Sequence, residues 1–184
     1  MNLSPYVKWP LDVLAHHRLT IAAVESLEES RHEADDFSTV RLIGLDQSTF
    51  RIQINGLREE SNQQSMLLLM ASIEAVFQVD LHRRVERRLK DRASTALRRY
   101  HRRLTGKKRR IEVEGILDEW KSSVAGIAES IGQLKQAIAY RHWLAHGRYW
   151  VQHSGLNNPD LLDFWNRWIS VEQRIAVDFE FPLQ

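Results

Sequence analysis

Val124-Ala125-Gly126-Ile127-Ala128-Glu129-Ser130-Ile131-Gly132-Gln133-Leu134-Lys135-Gln136-Ala137-Ile138-Ala139-Tyr140-Arg141 places its large aliphatic residues at 124, 127, 131, 134 and 138. That three-and-four spacing is the signature of one apolar helix face. Arg141 falls on the next turn of the same seam, where the pattern asks for an aliphatic side chain. A guanidinium there costs desolvation unless it meets an anion, a carboxylate or a wet cleft, so the position needs a partner.

Working outward, Glu59 to Arg88 reads as a long helix with Met66, Met70, Ile73, Phe77 and Leu81 on one face. Between Met66 and Val79 its only charged residue is Glu74. This carboxylate is the natural partner for Arg141 or His146, unless it sits at the edge of the face and reaches water. Ala93 to Leu104 is helical by pattern and breaks at Thr105-Gly106. Ile111 to Tyr140 forms one or two helices, with Gly115, Gly126 and Gly132 as candidate kinks. Asn158-Pro159-Asp160 predicts a helix start, and the helix that follows buries Leu161, Leu162, Trp165, Trp168, Ile169 and Ile175 before ending near Asp178.

The N-terminal third reads differently. Leu11 to Ala34 predicts a helix with an acidic C-terminal half. Next, Thr39-Val40-Arg41-Leu42-Ile43-Gly44-Leu45 and Phe50-Arg51-Ile52-Gln53-Ile54-Asn55 flank Asp46-Gln47-Ser48, and the second segment alternates apolar and polar. That alternation predicts a short β-hairpin ending at Asn55-Gly56. The expected fold is therefore mainly α: one domain over 1–184, with residues 1–60 as a helix plus hairpin and residues 61–179 as an antiparallel helical bundle.

The seam runs into Ala139-Tyr140-Arg141-His142-Trp143-Leu144-Ala145-His146-Gly147-Arg148-Tyr149. This R-x4-H run, followed by glycine and a nearby aromatic, resembles the signature of HEPN domains, all-helical proteins that include many RNases. The resemblance covers roughly Ser61 to Phe179. It implies a HEPN-like bundle, catalysis by Arg141 and His146, no metal or other cofactor, and a homodimer with the site at its interface. It also implies a toxin or defence role and an antitoxin or other inhibitor protein as partner. Many members have Asn or Asp after the arginine, where His142 stands here. The tyrosine of one toxin subgroup lies two residues after the histidine, whereas Tyr149 lies three after His146.

The residues support that chemistry in their own right. Metal-free RNA cleavage needs proton transfer at the attacking 2′-hydroxyl and at the leaving oxygen, with charge compensation on the phosphoryl group. Histidine titrates near neutrality and suits the first task; arginine's planar fork suits the second. The products are a cyclic phosphate and a 5′-hydroxyl. In an unbroken helix five residues turn through about 500 degrees, leaving Arg141 and His146 roughly 140 degrees apart, so convergence calls for a break or bend between them, with Gly147 suggesting a helix end, for arginine's long reach, or for a dimer two-fold. Glu74, His142 and Tyr149 are the supporting candidates, Tyr149 as a base-stacking contact.

Charge is unevenly distributed. From His82 to Arg110, fourteen Lys and Arg stand against Glu86 and Asp91, so this stretch carries +12 and the remainder −10 within a total of +2. Such a stretch meets either an external anion or the chain's own acids. Arg98, Arg102, Lys107, Lys108, Arg109 and Arg110, with Arg148 beside the motif, are the candidate RNA contacts. The internal acidic partner would be Glu25, Glu28, Glu29, Glu33, Asp35 and Asp36. No zinc pattern accompanies His142 and His146, since no glutamate follows the first histidine as in H-E-x-x-H. His16, His17 and His153 read as surface residues.

The absence of cysteine fits a reducing compartment, and no run approaches the length of a membrane span, so a cytoplasmic protein is expected. From a different functional class, a non-catalytic helical dimer fits the same residues: an adaptor whose R-x4-H pair is structural and whose basic stretch docks nucleic acid or an acidic protein.

Overall fold

The computed structural model describes residues 9–33, 45–146 and 159–181. They form six helices: α1 (Pro10–Glu33), α2 (Gln47–Glu86), α3 (Arg92–Gly106), α4 (Val113–Ser123), α5 (Ala128–Ala145) and α6 (Leu161–Asp178). Among the described residues there is no strand, which corrects the β-hairpin expectation. Thr39 to Gly44 lie outside the described residues, while Phe50 to Asn55 belong to α2.

The physical reason is a period that two structures share. Apolar residues at 50, 52 and 54 fit one face of a strand, but 50 and 54 also fit one face of a helix. Phe50 and Ile54 are buried, whereas Ile52 is 71% exposed, so the helical period is the one used. Asp46 starts the helix by accepting from the backbone N–H groups of Ser48 and Thr49 at 2.9 and 3.0 Å. The Ser48 and Thr49 hydroxyls donate to it as well, and together with the amides they hold the Asp46 carboxyl well below the usual carboxylate range. Gly56 lies inside the helix facing open space rather than in a turn.

α2 is 40 residues long, about 60 Å at 1.5 Å per residue, and contacts every other helix. Its Met66, Leu69, Met70, Ile73, Phe77 and Leu81 form the spine of the core. One apolar window of α2 is long enough to cross a membrane by composition, yet 56% of it is buried in the bundle, as in a core helix. α1 runs antiparallel along α2, with His17 Nδ1 3.0 Å from Ser65 Oγ and Arg58 paired with Glu28. His17 is thus half-buried rather than a surface residue. The expected boundary at residue 60 falls inside the uninterrupted α2.

The Ile111–Tyr140 segment divides into α4 and α5 at Gly126, whose φ of 72° is the left-handed conformation that glycine tolerates. Gly115 serves a different end, since a Cβ there would fall within 2.6 Å of Tyr100 Cζ. α5 lies antiparallel to α6, as Ser130–Ser170 and Tyr140–Phe164 contacts require. α6 runs parallel to α2: Leu161 N donates to Asn62 Oδ1 at 2.9 Å, and Glu180 beyond its far end pairs with Arg83. Its cap is Asp160, in a reciprocal capping box with Asp163, so the helix begins just after the Pro159 expected at its first position.

Candidate active site

The seam residues Val124, Ile127, Ile131, Leu134 and Ile138 are all buried. That packing fixes the rotation of α5 and turns Arg141 toward α2. Its Nη1 lies 3.9 Å from Glu74 Oε1, with both side chains a little over one quarter exposed. Glu74 Oε1 is buried and accepts no hydrogen bond. The pair is therefore an ionic contact rather than a closed fork, and Arg141 also lines the adjoining space.

That space is a cleft of about 490 Å³. Glu74 and Gln78 of α2 line one wall; Arg110, Glu112 and Glu114, from the α3–α4 connection and the first turn of α4, line another; Arg141, His142 and His146 line the third. The motif's arginine and histidine thus open on one cleft despite their angular separation. α5 ends at Ala145, and His146 is the C-cap, its N–H donating to His142 O at 3.1 Å. That bond keeps His142 and His146 one turn apart on the same face. His142 Nε2 lies 3.7 Å from Glu114 Oε1.

Glu112 and Glu114 were missed by sequence reasoning. The signal was present: both follow the basic run immediately, in Arg110-Ile111-Glu112-Val113-Glu114. Tyr149 and Arg148 lie outside the described residues, as does His153. No three His, Asp or Glu side chains among the described residues are grouped so as to hold a metal ion.

The basic residues divide into two sets. Arg84, the most buried cation, donates through Nε to both Asp80 oxygens at 2.9 and 2.8 Å and through Nη1 to Ser94 Oγ at 2.8 Å. It also lies 4.7 Å from the Trp120 ring centroid. Burial pushes the Asp80 carboxyl up to about 6, with the Arg84 charge and hydrogen bonds opposing it. This set ties α2, α3 and the segment after α6 together and is internal.

The second set faces out. Lys107, Lys108, Arg109 and Arg110 are exposed on a turn fastened to α3, with Arg109 N donating to Leu104 O at 3.0 Å. Arg102 is exposed and Arg98 half-buried, its Nε donating to Ser94 O. Among the described residues, no carboxylate forms an ion pair with any of these six. Of the expected acidic partners on α1, Glu28 pairs with Arg58 of α2, while Asp35 and Asp36 lie outside the described residues. Arg110 belongs both to this exposed turn and to the cleft wall.

The chain matches no protein-family model, no curated protein and no solved structure. Any functional reading therefore stands on the motif and the cleft.

Proposed function

We propose that this chain is a metal-independent endoribonuclease of HEPN type. The observation that supports the reading is the single cleft lined by Arg141, His142 and His146, with the cationic turn 107–110, which forms no ion pair among the described residues, entering it through Arg110. In this reading Arg141 holds the phosphoryl oxygens and His146 moves the proton at the ribose 2′-hydroxyl. Glu74 orients the arginine, and the basic turn carries flanking phosphates of the RNA strand. The protein acts as a cytoplasmic homodimer held in check by an inhibitor protein, since an unrestrained RNase harms its host.

The test is incubation of purified wild type and His146→Ala with total RNA and tRNA in EDTA, followed by analysis of fragment ends. Cleavage by wild type alone, leaving cyclic phosphate and 5′-hydroxyl ends, is the expected result. Inactivity of folded, dimeric wild type on all RNAs overturns the reading and favours an adaptor that binds through the basic turn.

A further inference from the structure

α3 carries its charge on one stripe. At about 100 degrees per residue, Arg92, Arg99, Arg102 and Arg103 fall within one third of the helix circumference. All four are exposed, while Ala93, Ala96, Leu97 and Tyr100 hold the other side of the helix in the core. Its 15 residues span about 22 Å and end at the turn 107–110, whose Arg110 lines the cleft. Arg103 lies 3.7 Å from Glu119, and Arg92 donates to Ser122 O at 3.2 Å. Arg99 and Arg102 form no ion pair with a carboxylate among the described residues. Arg88, in the turn before α3, adds a second observation. Its φ of 51° is the left-handed conformation that suits glycine just after a helix C-cap. Arg83 and Arg84 already put positive charge in the last turn of α2, so the helix dipole does not call for another. The Arg88 side chain is exposed and forms no ion pair among the described residues. Backbone strain retained for such a side chain points to a ligand outside the fold.

The kind of anion follows from what the stripe lacks. A bilayer surface needs apolar side chains beside the charges, and those of α3 are in the core. A single strand needs aromatic platforms for its unstacked bases. Tyr100, the one Phe, Tyr or Trp between Arg87 and Arg110, is buried. A duplex keeps its bases stacked inside and presents phosphates and 2′-hydroxyls, for which an exposed row of guanidiniums suffices. We infer that the stripe from Arg88 to Arg103 is a docking surface for an A-form RNA duplex, so that the substrate is a stem that carries an unpaired segment into the cleft. That the duplex belongs to a substrate rests on the endoribonuclease reading; the duplex contact itself does not.

The experiment uses the full chain and two RNAs that share one unpaired segment, a bare single strand and the same segment closed by a duplex stem. Affinities are titrated across salt in a His146→Ala background, which keeps the RNA intact, and cleavage is followed in the otherwise wild-type chain. The stem-loop binds tighter than the bare strand and with a steeper salt dependence. Arg88→Gly combined with Arg99→Gln makes the stem-loop slope shallower by up to about 1.8, at about 0.9 per duplex phosphate contact. Between about 50 and 200 mM salt that difference amounts to about tenfold in relative affinity. The same variant changes the bare strand little, and on the stem-loop it raises KM at unchanged kcat. Arg88→Gly alone melts no lower than wild type, since glycine relieves the strain; a clearly lower melting temperature would make Arg88 structural and remove it from the surface. Equal affinity of wild type for the two RNAs, or equal losses on both in the double variant, overturns duplex docking and leaves an acidic protein as the partner of the stripe, while cleavage by wild type keeps the endoribonuclease reading. A stem-loop preference that the variant abolishes, in a wild type that cleaves neither RNA, overturns the endoribonuclease reading and the substrate role but keeps the duplex contact.

Discussion

Arg141 of α5 and Glu74 of α2 face each other at 3.9 Å across the helix packing, although Glu74 Oε1 has no hydrogen bond of its own. A loose ionic contact of this kind holds an arginine in place without occupying its fork. Both side chains are a little over one quarter exposed, so solvent screens the attraction and its part in stability is small.

Glu74→Gln should therefore shift the melting temperature little while lowering RNA cleavage more than binding, because Gln fills the same volume without anchoring the guanidinium. Arg141→Lys should lose most activity, since a point charge does not reproduce planar donors and one such contact is worth about 2.7 to 4 kcal/mol in a transition state. Thermal melts and single-turnover rates on the same samples check both. A Glu74→Gln protein that melts far below wild type would mark the pair as structural.

Ile52 and Ile54 separate helix from strand at the start of α2. In a strand they would share a face. In the helix Ile54 is 1% exposed and Ile52 71%. Ile54→Ala should cost about 2 to 5 kcal/mol in urea denaturation, whereas Ile52→Ala should stay within about 0.5 kcal/mol of wild type. Equal losses at the two positions would contradict the helix.

The same ambiguity explains how much of the structure was legible. The α5 seam was readable because five aliphatic positions over fifteen residues admit only the helical period, and α2 downstream of Met66 was readable likewise. Phe50 to Asn55 was too short to choose between periods; the Asp46 cap lies just upstream, where an aspartate equally fits a hairpin turn, and burial against other helices is not local to the segment. Arg84 was hidden for another reason. Within Arg83-Arg84-Val85-Glu86-Arg87-Arg88 it reads as one more solvated charge, and only its position four residues after Asp80, on the Phe77–Leu81 face, hints at burial. The site was half legible. A motif names Arg141 and His146, and charge scarcity on an apolar helix names Glu74, but Glu114 reaches the cleft through the packing of α4.

Asp80 gives a pH test with a defined sign. Its folded-state value of about 6 lies above the ordinary 3.8, so between them the folded protein binds more protons than the unfolded chain. Stability from this group is fully present below 3.8 and is lost as pH rises through 6. The melting temperature of wild type relative to Asp80→Asn should therefore fall as pH rises across that window. A rise would show that Arg84 keeps Asp80 ionised to lower pH. Arg84→Ala, which leaves Asp80 buried without its cation, should cost about 3 to 5 kcal/mol at neutral pH.

The basic turn makes the last prediction. Lys107, Lys108, Arg109 and Arg110 are exposed and, among the described residues, form no ion pair with a carboxylate, so the turn is able to take an anion. If the strand crosses this turn, log affinity for single-stranded RNA should fall with log salt at about −0.7 per phosphate neutralised. Replacing Lys107 and Lys108 with Gln should make that slope shallower by up to about 1.4. It should also weaken all RNAs alike, because phosphate contacts carry no base information. Arg110→Gln should do more, since Arg110 also lines the cleft and its loss should lower kcat as well as affinity. Affinity that ignores both salt and these substitutions would mean that the turn lies off the path of the RNA. The strand would then have to enter past Glu112 and Glu114, a poorer route for a polyanion.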